Sequence, residues 1–311
     1  MRAKRFLSVL MILAMMTTLF PAAAAAADSI IHDIEAGPII ISDDGSYIIK
    51  GTGQSTANTI TVAAGASPHI TLEGVNIDSN GCAFLIADDS TGNVRINLEG
   101  DNTLRSAGNY AGLQKNGSGV GVGTLTIDGT GSLTATGGYC SAGIGGSDGA
   151  HCSNITINGG AVIASGGMYG AGIGGGYGGD SGGSSSNITI NGGRVTATGG
   201  DCSAGIGGGD YGSGSNITID GGEVSATGGY YSGAGIGGGY NGSGSNISIN
   251  GGAIIASGGE YGAGIGGGDG GSGSYITISG GTVTAIGGIQ AAGIGGAWNG
   301  SGRDITINGG M

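Results

Sequence analysis

The feature that most constrains the fold is a sequence block that returns every 29 to 33 residues. Each block reads S-N-I-T-I-N-G-G, then V-x-A-x-G-G, then A-G-I-G-G-G, with substitutions. Steps of 30, 33, 29, 30, 29 and 29 residues separate the central apolar residue of the first motif: Leu125, Ile155, Ile188, Ile217, Ile247, Ile276 and Ile305. A fixed period of roughly 20–50 residues is typical of a solenoid, in which each unit buries its apolar face against its neighbours.

Within one block, three short alternating segments predict three short strands. Ile155 and Ile157 alternate with Thr156, and this period of two marks a half-buried strand. The second and third alternations are carried by Val162 with Ala164 and by Ala171 with Ile173. Asn-Gly and Gly-Gly pairs between them tolerate the positive φ angles of tight turns. We therefore predict an all-β, right-handed parallel β-helix with three short strands in each coil of about 29–33 residues.

The domain organisation follows from composition along the chain. Residues 1–27 have a basic start, an apolar stretch and a run of small residues, which predicts a secretory signal peptide cleaved after Ala27. Residues 28–57 are irregular and acidic, and we expect them to cap the first coil, with β-helix repeats over 58–311. Four early segments are predicted to occupy the first-strand position: Asn58–Val62, His69–Leu72, Val94–Leu98 and Leu125–Ile127. Because the sequence ends just after a first strand, we expect a C-terminus truncated in mid-coil.

The charge balance argues against two classes of partner. Nine basic residues stand against 21 acidic ones, for a formal net charge of −12. Nucleic acids and anionic membranes select clustered Lys and Arg, so we expect neither nucleic-acid binding nor membrane insertion after signal removal. An acidic exported protein, secreted or held at the cell surface, is compatible with calcium or with neutral sugars.

Disulfides are allowed in an exported chain, and four cysteines permit three connectivities. Cys140 and Cys202 occupy the same repeat position two coils apart. Their backbones would be about 9.6 Å apart at strand spacing, beyond the reach of a disulfide. Cys140 with Cys152, across one glycine-rich loop, is the more feasible bridge.

The long corner between the third and first strands carries the main candidate site. Aromatic residues stand there beside short carboxylates or amides: Tyr177, Tyr211, Tyr240, Trp298, Asp210, Asn241 and Asn299. A ring packs on the apolar face of a sugar while Asp or Asn binds its hydroxyls. The alternative is that these are ordinary turn residues and edge-shielding rings. Candidate calcium ligands lie at the same corner: Asp148, Asp180, Asp210 and Asp269.

A second corner, before A-G-I-G-G, also carries tyrosines: Tyr139, Tyr169, Tyr230, Tyr231 and Tyr261. The neighbouring third strand is predicted to turn glycines outward: Gly172, Gly205, Gly235, Gly264 and Gly293. Such a bare strip would accept a polysaccharide chain or a second rod. The alternative is that glycine relieves crowding at a sharp bend.

Catalysis has little support in the sequence. The three histidines lie at unrelated positions, so we expect a protein that is not an enzyme. The one basic cluster that would suit a polysaccharide lyase comprises Arg95, Arg105 and Lys115, near Asp88, Asp89 and Asp101.

The succession of motifs from about Gly45 to Met311 resembles a known group of proteins. It includes G-S-Y-I-I-K-G, H-I-T-L-E-G-V-N-I, V-R-I-N-L-E-G-D-N-T-L and the A-G-I-G-G-G coils. It is similar to exported Gram-positive bacterial surface proteins of the carbohydrate-binding-domain or β-helix repeat type. The resemblance implies a non-catalytic carbohydrate-binding or adhesive role. A structural stalk for a missing C-terminal domain and a lyase-like enzyme remain the alternatives.

Overall fold

The computed structural model describes residues 29–88, 90–119, 121–179 and 182–311; the predicted signal peptide lies outside these ranges. The chain is an all-β, right-handed parallel solenoid built from three sheets, which confirms the predicted fold class. A single turn of 3-10 helix, Ile34–Ala36, follows the first strand. None of the described residues forms a helix long and apolar enough to cross a bilayer.

Each sheet collects one strand from successive coils. Sheet 1 contains β1 (Ile30–Asp33), β3 (Ser46–Lys50), β5 (His69–Glu73), β8 (Val94–Glu99), β11 (Leu125–Gly129), β14 (Cys152–Ile157), β17 (Ser185–Ile190), β20 (Gly214–Ile219), β23 (Gly244–Ile249), β26 (Gly273–Ile278) and β29 (Gly302–Ile307). Sheet 2 contains β6 (Asn76–Ser79), β9 (Asp101–Ser106), β12 (Ser132–Thr136), β15 (Ala161–Ser165), β18 (Arg194–Thr198), β21 (Glu223–Thr227), β24 (Ala253–Ser257) and β27 (Thr282–Ile286). Sheet 3 contains β2 (Ile39–Ile41), β4 (Ile60–Val62), β7 (Phe84–Ile86), β10 (Leu113–Lys115), β13 (Ile144–Gly145), β16 (Ile173–Gly174), β19 (Ile206–Gly207), β22 (Ile236–Gly237), β25 (Ile265–Gly266) and β28 (Ile294–Gly295).

The core consists of interior files of equivalent side chains. Ile155 pairs with Ile188 of the next coil, and Ile188 pairs with Ile217. All three side chains are fully buried, which confirms the predicted single interior file. Parallel strands stack about 4.8 Å apart, so each branched side chain rests directly on its counterpart. Each coil buries apolar surface against both of its neighbours, and this burial contributes roughly 25 cal/mol per Å² to stability.

The N-terminal segment joins these sheets directly. β1 pairs with β3 in sheet 1, and β2 pairs with β4 in sheet 3, so the region predicted to be a cap supplies strands to two sheets. The predictions for His69–Leu72, Val94–Leu98 and Leu125–Ile127 are confirmed, because β5, β8 and β11 lie in sheet 1. The prediction for Asn58–Val62 is wrong: Ile60 pairs with Ile39 and Phe84, which places β4 in sheet 3.

The outer face of sheet 1 carries a ladder of asparagines. Asn154, Asn187, Asn216 and Asn246 have positive φ angles of 61°, 55°, 53° and 53°. Asn187 Nδ2 donates to Asn154 Oδ1 at 2.9 Å, and the same bond links the next two pairs at 3.1 and 3.2 Å. Asparagine adopts this left-handed conformation more readily than most residues. This need for a left-handed backbone conformation explains why Asn precedes I-T-I in these repeats.

Two replacements of Asn216 separate the contribution of its side-chain hydrogen bond from that of its left-handed backbone conformation. We expect Asn216→Ala to lower the free energy of unfolding by about 1–3 kcal/mol, since it loses a side-chain hydrogen bond and strains a left-handed residue. Asn216→Gly loses the bond without the strain, so its effect should be smaller by roughly 1 kcal/mol. Urea unfolding of both variants measures the difference, and equal losses would contradict the assigned backbone strain.

From β13 onward, the third side of each coil is a tight bend around a two-residue strand. Ala171 N–H donates to Gly175 O at 2.9 Å, while Ile173 between them points into the core. Gly174 has a φ of 139°, a conformation that L side chains rarely adopt. The same bond recurs between Ala142 and Gly146, Ala204 and Gly208, Ala234 and Gly238, Ala263 and Gly267, and Ala292 and Gly296. The A-G-I-G-G motif is therefore the sequence of this bend.

The predicted exposed strip of glycines is wrong. Gly172, Gly205, Gly235 and Gly264 are buried. A Cβ atom added to Gly172 would lie 2.6 Å from the backbone N of Thr198 and from the carbonyl O of Gly205. These glycines are present because the backbone of the next coil leaves no room for a side chain, so the crowding alternative is the correct one.

Candidate functional site

The two loops that flank the third strand meet along one line, which we call the seam. Loop A lies between the second and third strands of a coil, and loop B follows the third strand. In each case a backbone N–H of loop B donates to a carbonyl of loop A in the preceding coil. The donor–acceptor pairs are Asp148–Asn109 (3.2 Å), Tyr177–Cys140 (2.7 Å), Asp210–Tyr169 (3.0 Å), Tyr240–Cys202 (2.7 Å), Asp269–Ser232 (2.9 Å) and Trp298–Tyr261 (3.3 Å). The two predicted corners therefore form one surface.

Aromatic rings line this seam in contact with one another. The ring pairs are Tyr139–Tyr169 (5.4 Å between centroids), Tyr169–Tyr177 (5.3 Å), Tyr211–Tyr240 (5.0 Å), Tyr230–Tyr231 (4.9 Å) and Tyr261–Trp298 (5.2 Å). Among these paired rings, exposed fractions are highest for Tyr230 (70%), Tyr139 (56%), Tyr231 (50%), Trp298 (43%) and Tyr211 (36%). Tyr177 and Tyr240 are half-buried, while Asn241 and Asn299 are exposed. The rings thus both shield the seam and present aromatic surface to solvent.

Asp210 lies within the seam rather than on its surface. Its side chain is 5% exposed, and Oδ1 has no hydrogen-bond partner among the described residues. Burial raises the pKa of Asp210 from its ordinary value of 3.8 to about 6, although the backbone N–H of Tyr211 favours the charged form. The carboxylate is therefore a buried, poorly compensated charge at neutral pH.

Replacing this carboxylate should stabilise the protein at neutral pH. Because the folded-state pKa is raised, the stability contributed by the protonated form is complete below pH 3.8 and is lost as the pH rises through about 6. We expect Asp210→Asn to be more stable than the native chain by about 1–2 kcal/mol above pH 7, with the advantage vanishing near pH 4. Urea unfolding between pH 4 and 8 measures this, with exposed Asp220→Asn as the control. A gain independent of pH would contradict the burial of Asp210.

The predicted Cys140–Cys152 disulfide is wrong, because all four cysteines are free. Cys152 is fully buried, and a Cβ atom added to Gly145 would lie 3.1 Å from its Sγ. Burial raises the pKa of the Cys152 thiol to about 12. Cys140 lies instead in loop A at the seam, so a bridge would require Cys152 to leave the core.

The basic residues considered for lyase chemistry lie on three different sides of the solenoid. Arg95 belongs to β8 in sheet 1, Arg105 to β9 in sheet 2, and Lys115 to β10 in sheet 3. Arg105 lies beside Asp78, with 3.8 Å between Nε and Oδ1. Lys115 is 3% exposed, its Nζ donates to Ser153 O at 2.9 Å, and burial lowers its pKa. The fold therefore does not bring these three cations together.

The candidate calcium ligands are distributed along the seam. Asp148 is exposed and accepts a hydrogen bond from Asn109 Nδ2 at 2.7 Å. Asp269 is partly buried, which raises the pKa of its carboxyl. Asp180 lies outside the described residues. Within the described ranges, no three His, Cys, Asp or Glu side chains converge as a metal-binding group.

A polar cleft of about 370 Å³ lies between the B loops of successive coils. Its polar lining includes Asp88, Asn116, Ser147, Asp148 and His151. Asn116 Nδ2 donates to Asp88 Oδ1 and to Ser147 Oγ, both at 2.9 Å, and Asn116 Oδ1 accepts from Ser147 N at 2.9 Å. Sequence reasoning did not assign Asn116 or His151 to a site. The available signal was that loop B between β10 and β11 departs from the repeat pattern.

The comparison with known families agrees with this architecture. A family model described as Beta helix repeat matches residues 125–148, 155–177, 188–210, 217–240, 247–269 and 276–298. The chain is a beta-helix repeat protein. Each matched segment begins at the interior file of sheet 1 and ends at the loop B residue whose N–H closes the seam. The repeat unit of this beta-helix repeat protein thus includes the seam. No curated protein and no solved structure matches the chain.

Proposed function

We propose that this beta-helix repeat protein is an exported, non-catalytic module that binds a glycan chain along the seam and acts as an adhesin at the bacterial surface. The observation that carries the proposal is the line of exposed aromatic rings on one edge of the rod. Exposed Asn241 and Asn299 lie beside Tyr240 and Trp298. Rings that contact the apolar face of a sugar, beside amides that bind its hydroxyls, are a common arrangement for carbohydrate recognition.

The spacing of the rings suits an extended polymer. Coils repeat at about 4.8 Å, so rings on adjacent or alternate coils recur at roughly 5–10 Å along the rod. That distance is of the order of one or two pyranose units of an extended polysaccharide. The in-register stacking therefore supports repeated contacts with a repeating ligand, which increases affinity through multivalency.

Charge favours a neutral or cationic glycan over an acidic one. Asp148, Asp201 and Asp269 accompany the seam, whereas the ion-paired cations Lys50, Arg105, Arg194 and Arg303 belong to strands of sheets 1 and 2. A uronic-acid polymer would meet uncompensated carboxylates there. This argues against a pectate-type substrate and hence against the lyase alternative.

Truncation of exposed rings tests the proposal. We expect Trp298→Ala and Tyr230→Ala each to weaken binding of the best ligand on a glycan array by about 5- to 30-fold, since each loses about 1–2 kcal/mol of stacking. Tyr275→Ala is the matched control, because Tyr275 is 51% exposed but lies on the outer face of sheet 1 against Arg303. Calorimetry with and without calcium gives the affinities.

A different result would favour the second candidate function, a structural stalk. The ring-to-ring contacts that close the seam are the observation in its favour. If a folded protein bound no glycan in either calcium condition, the rings would be packing elements only and the glycan-binding proposal would fail.

A further inference from the structure

The polar cleft at one end of the seam has a chemistry of its own. We propose that it binds an amino-sugar unit, with Asp88 and Asp148 holding its ammonium group and Ser147 and His151 binding its hydroxyls. This inference rests on the proposed glycan-binding function, because it names the kind of sugar that the protein selects.

Both carboxylates are oriented without being neutralised. Asn116 Nδ2 donates to Asp88 Oδ1 at 2.9 Å, and Asn109 Nδ2 donates to Asp148 Oδ2 at 2.7 Å. An amide fixes a carboxylate by hydrogen bonding but brings no positive charge. The ion pairs of the described residues involve other acids, and no Lys or Arg lines the cleft.

The second oxygen of each carboxylate is open to a ligand. Asp88 Oδ2 and Asp148 Oδ1 have no hydrogen-bond partner in the described part of the chain. Two uncompensated negative charges on the wall of one cleft attract a cation and repel an acidic group. A protonated primary amine also provides three donors for such oxygens.

Hydrogen-bond donors in the same cleft indicate a hydroxylated ligand rather than a bare metal ion. Ser147 Oγ accepts from Asn116 Nδ2, which leaves its O–H free to donate. Ser184 N–H donates to His151 Nδ1 at 3.0 Å, so the neutral imidazole carries its proton on Nε2. A metal ion would use only acceptors. The cleft, at about 370 Å³, falls within the usual size of small-ligand sites.

The position of the cleft connects it with the seam. The hydrogen bond from Asp148 N–H to Asn109 O is one of those that join loop B to loop A along the seam, and Asp148 also lines the cleft. Tyr139, with its ring 56% exposed, lies in loop A of the same coil. A glycan chain on the aromatic line would therefore place a unit in the cleft.

Calorimetry with three sets of sugars tests the inference on the full chain. The ligands are glucosamine and its oligomers, N-acetylglucosamine and its oligomers, and oligogalacturonate, all at pH 6, where the glucosamine amine is charged. We expect the free-amine oligomer to bind at least tenfold more tightly than the acetylated one, and oligogalacturonate most weakly. Asp88→Asn and Asp148→Asn should each reduce this preference three- to tenfold, and the double variant should abolish it.

Asp220→Asn is the matched control for the loss of charge. Asp220 accepts a hydrogen bond from Asn250 on the face of sheet 1, and Asn191 occupies the equivalent place one coil earlier. This variant should keep the preference for the free amine unchanged. Circular dichroism establishes that every variant retains the β fold.

The outcomes separate this inference from the proposed function. Oligomers that bind equally with and without acetylation, together with no binding of free glucosamine, would overturn the cleft assignment and leave the seam proposal intact. Glucosamine binding that depends on Asp148, without any effect of Trp298→Ala on oligomers, would support the cleft and overturn the seam. Calcium binding lost in the double variant, with no sugar bound, would overturn the amino-sugar inference in favour of a cation site.

Discussion

The in-register parallel ladder between coils is the interaction on which the structure depends. Each residue of a strand pairs with the equivalent residue one coil away, so a single choice of side chain is repeated as a file along the rod. Isoleucine at an inward position becomes a continuous core, and asparagine at an outward position becomes a hydrogen-bonded ladder. The same rule turns two loops into a seam, since one N–H of each loop B donates to a carbonyl of loop A in the coil before it.

The glycines make this stacking possible at the bend on the third side of the coil. The bend that carries Ile173 into the core needs Gly174 at positive φ and leaves no space for a side chain at Gly172. Because the bend is short, the loops before and after it lie close enough to bond to each other across adjacent coils. The tyrosines and Trp298 consequently share one edge, although the sequence separates them into two corners. The candidate glycan surface is thus a consequence of the glycines.

The sequence predicted the features that depend on period alone. The recurrence of Ile155, Ile188 and Ile217 determined the interior file and the three-strand coil, because only stacking satisfies such a repeat. It could not place β4, since a three-residue apolar alternation looks the same on every side of a solenoid. The prediction that Gly172 faces outward was wrong for a related reason. The third strand has only two residues, so the bend sets which way they face, and a pattern of alternating residues carries no information about that bend. The cleft was missed because Asn116 and His151 lie in loops outside the repeat, where only the three-dimensional structure brings them together.

Disulfide trapping on sheet 1 tests the register most directly, in a chain whose native cysteines are replaced by alanine or serine. Thr189 and Thr218 are direct partners on the outer face. Cysteines at such a pair would have Cβ atoms about 5 Å apart, whereas a pair offset by two residues is about 7–8 Å apart. The account predicts that Thr189→Cys with Thr218→Cys oxidises rapidly and completely, while Thr189→Cys with Asp220→Cys remains reduced. Equal oxidation of both pairs, or preference for the offset pair, would contradict in-register stacking and the seam built on it.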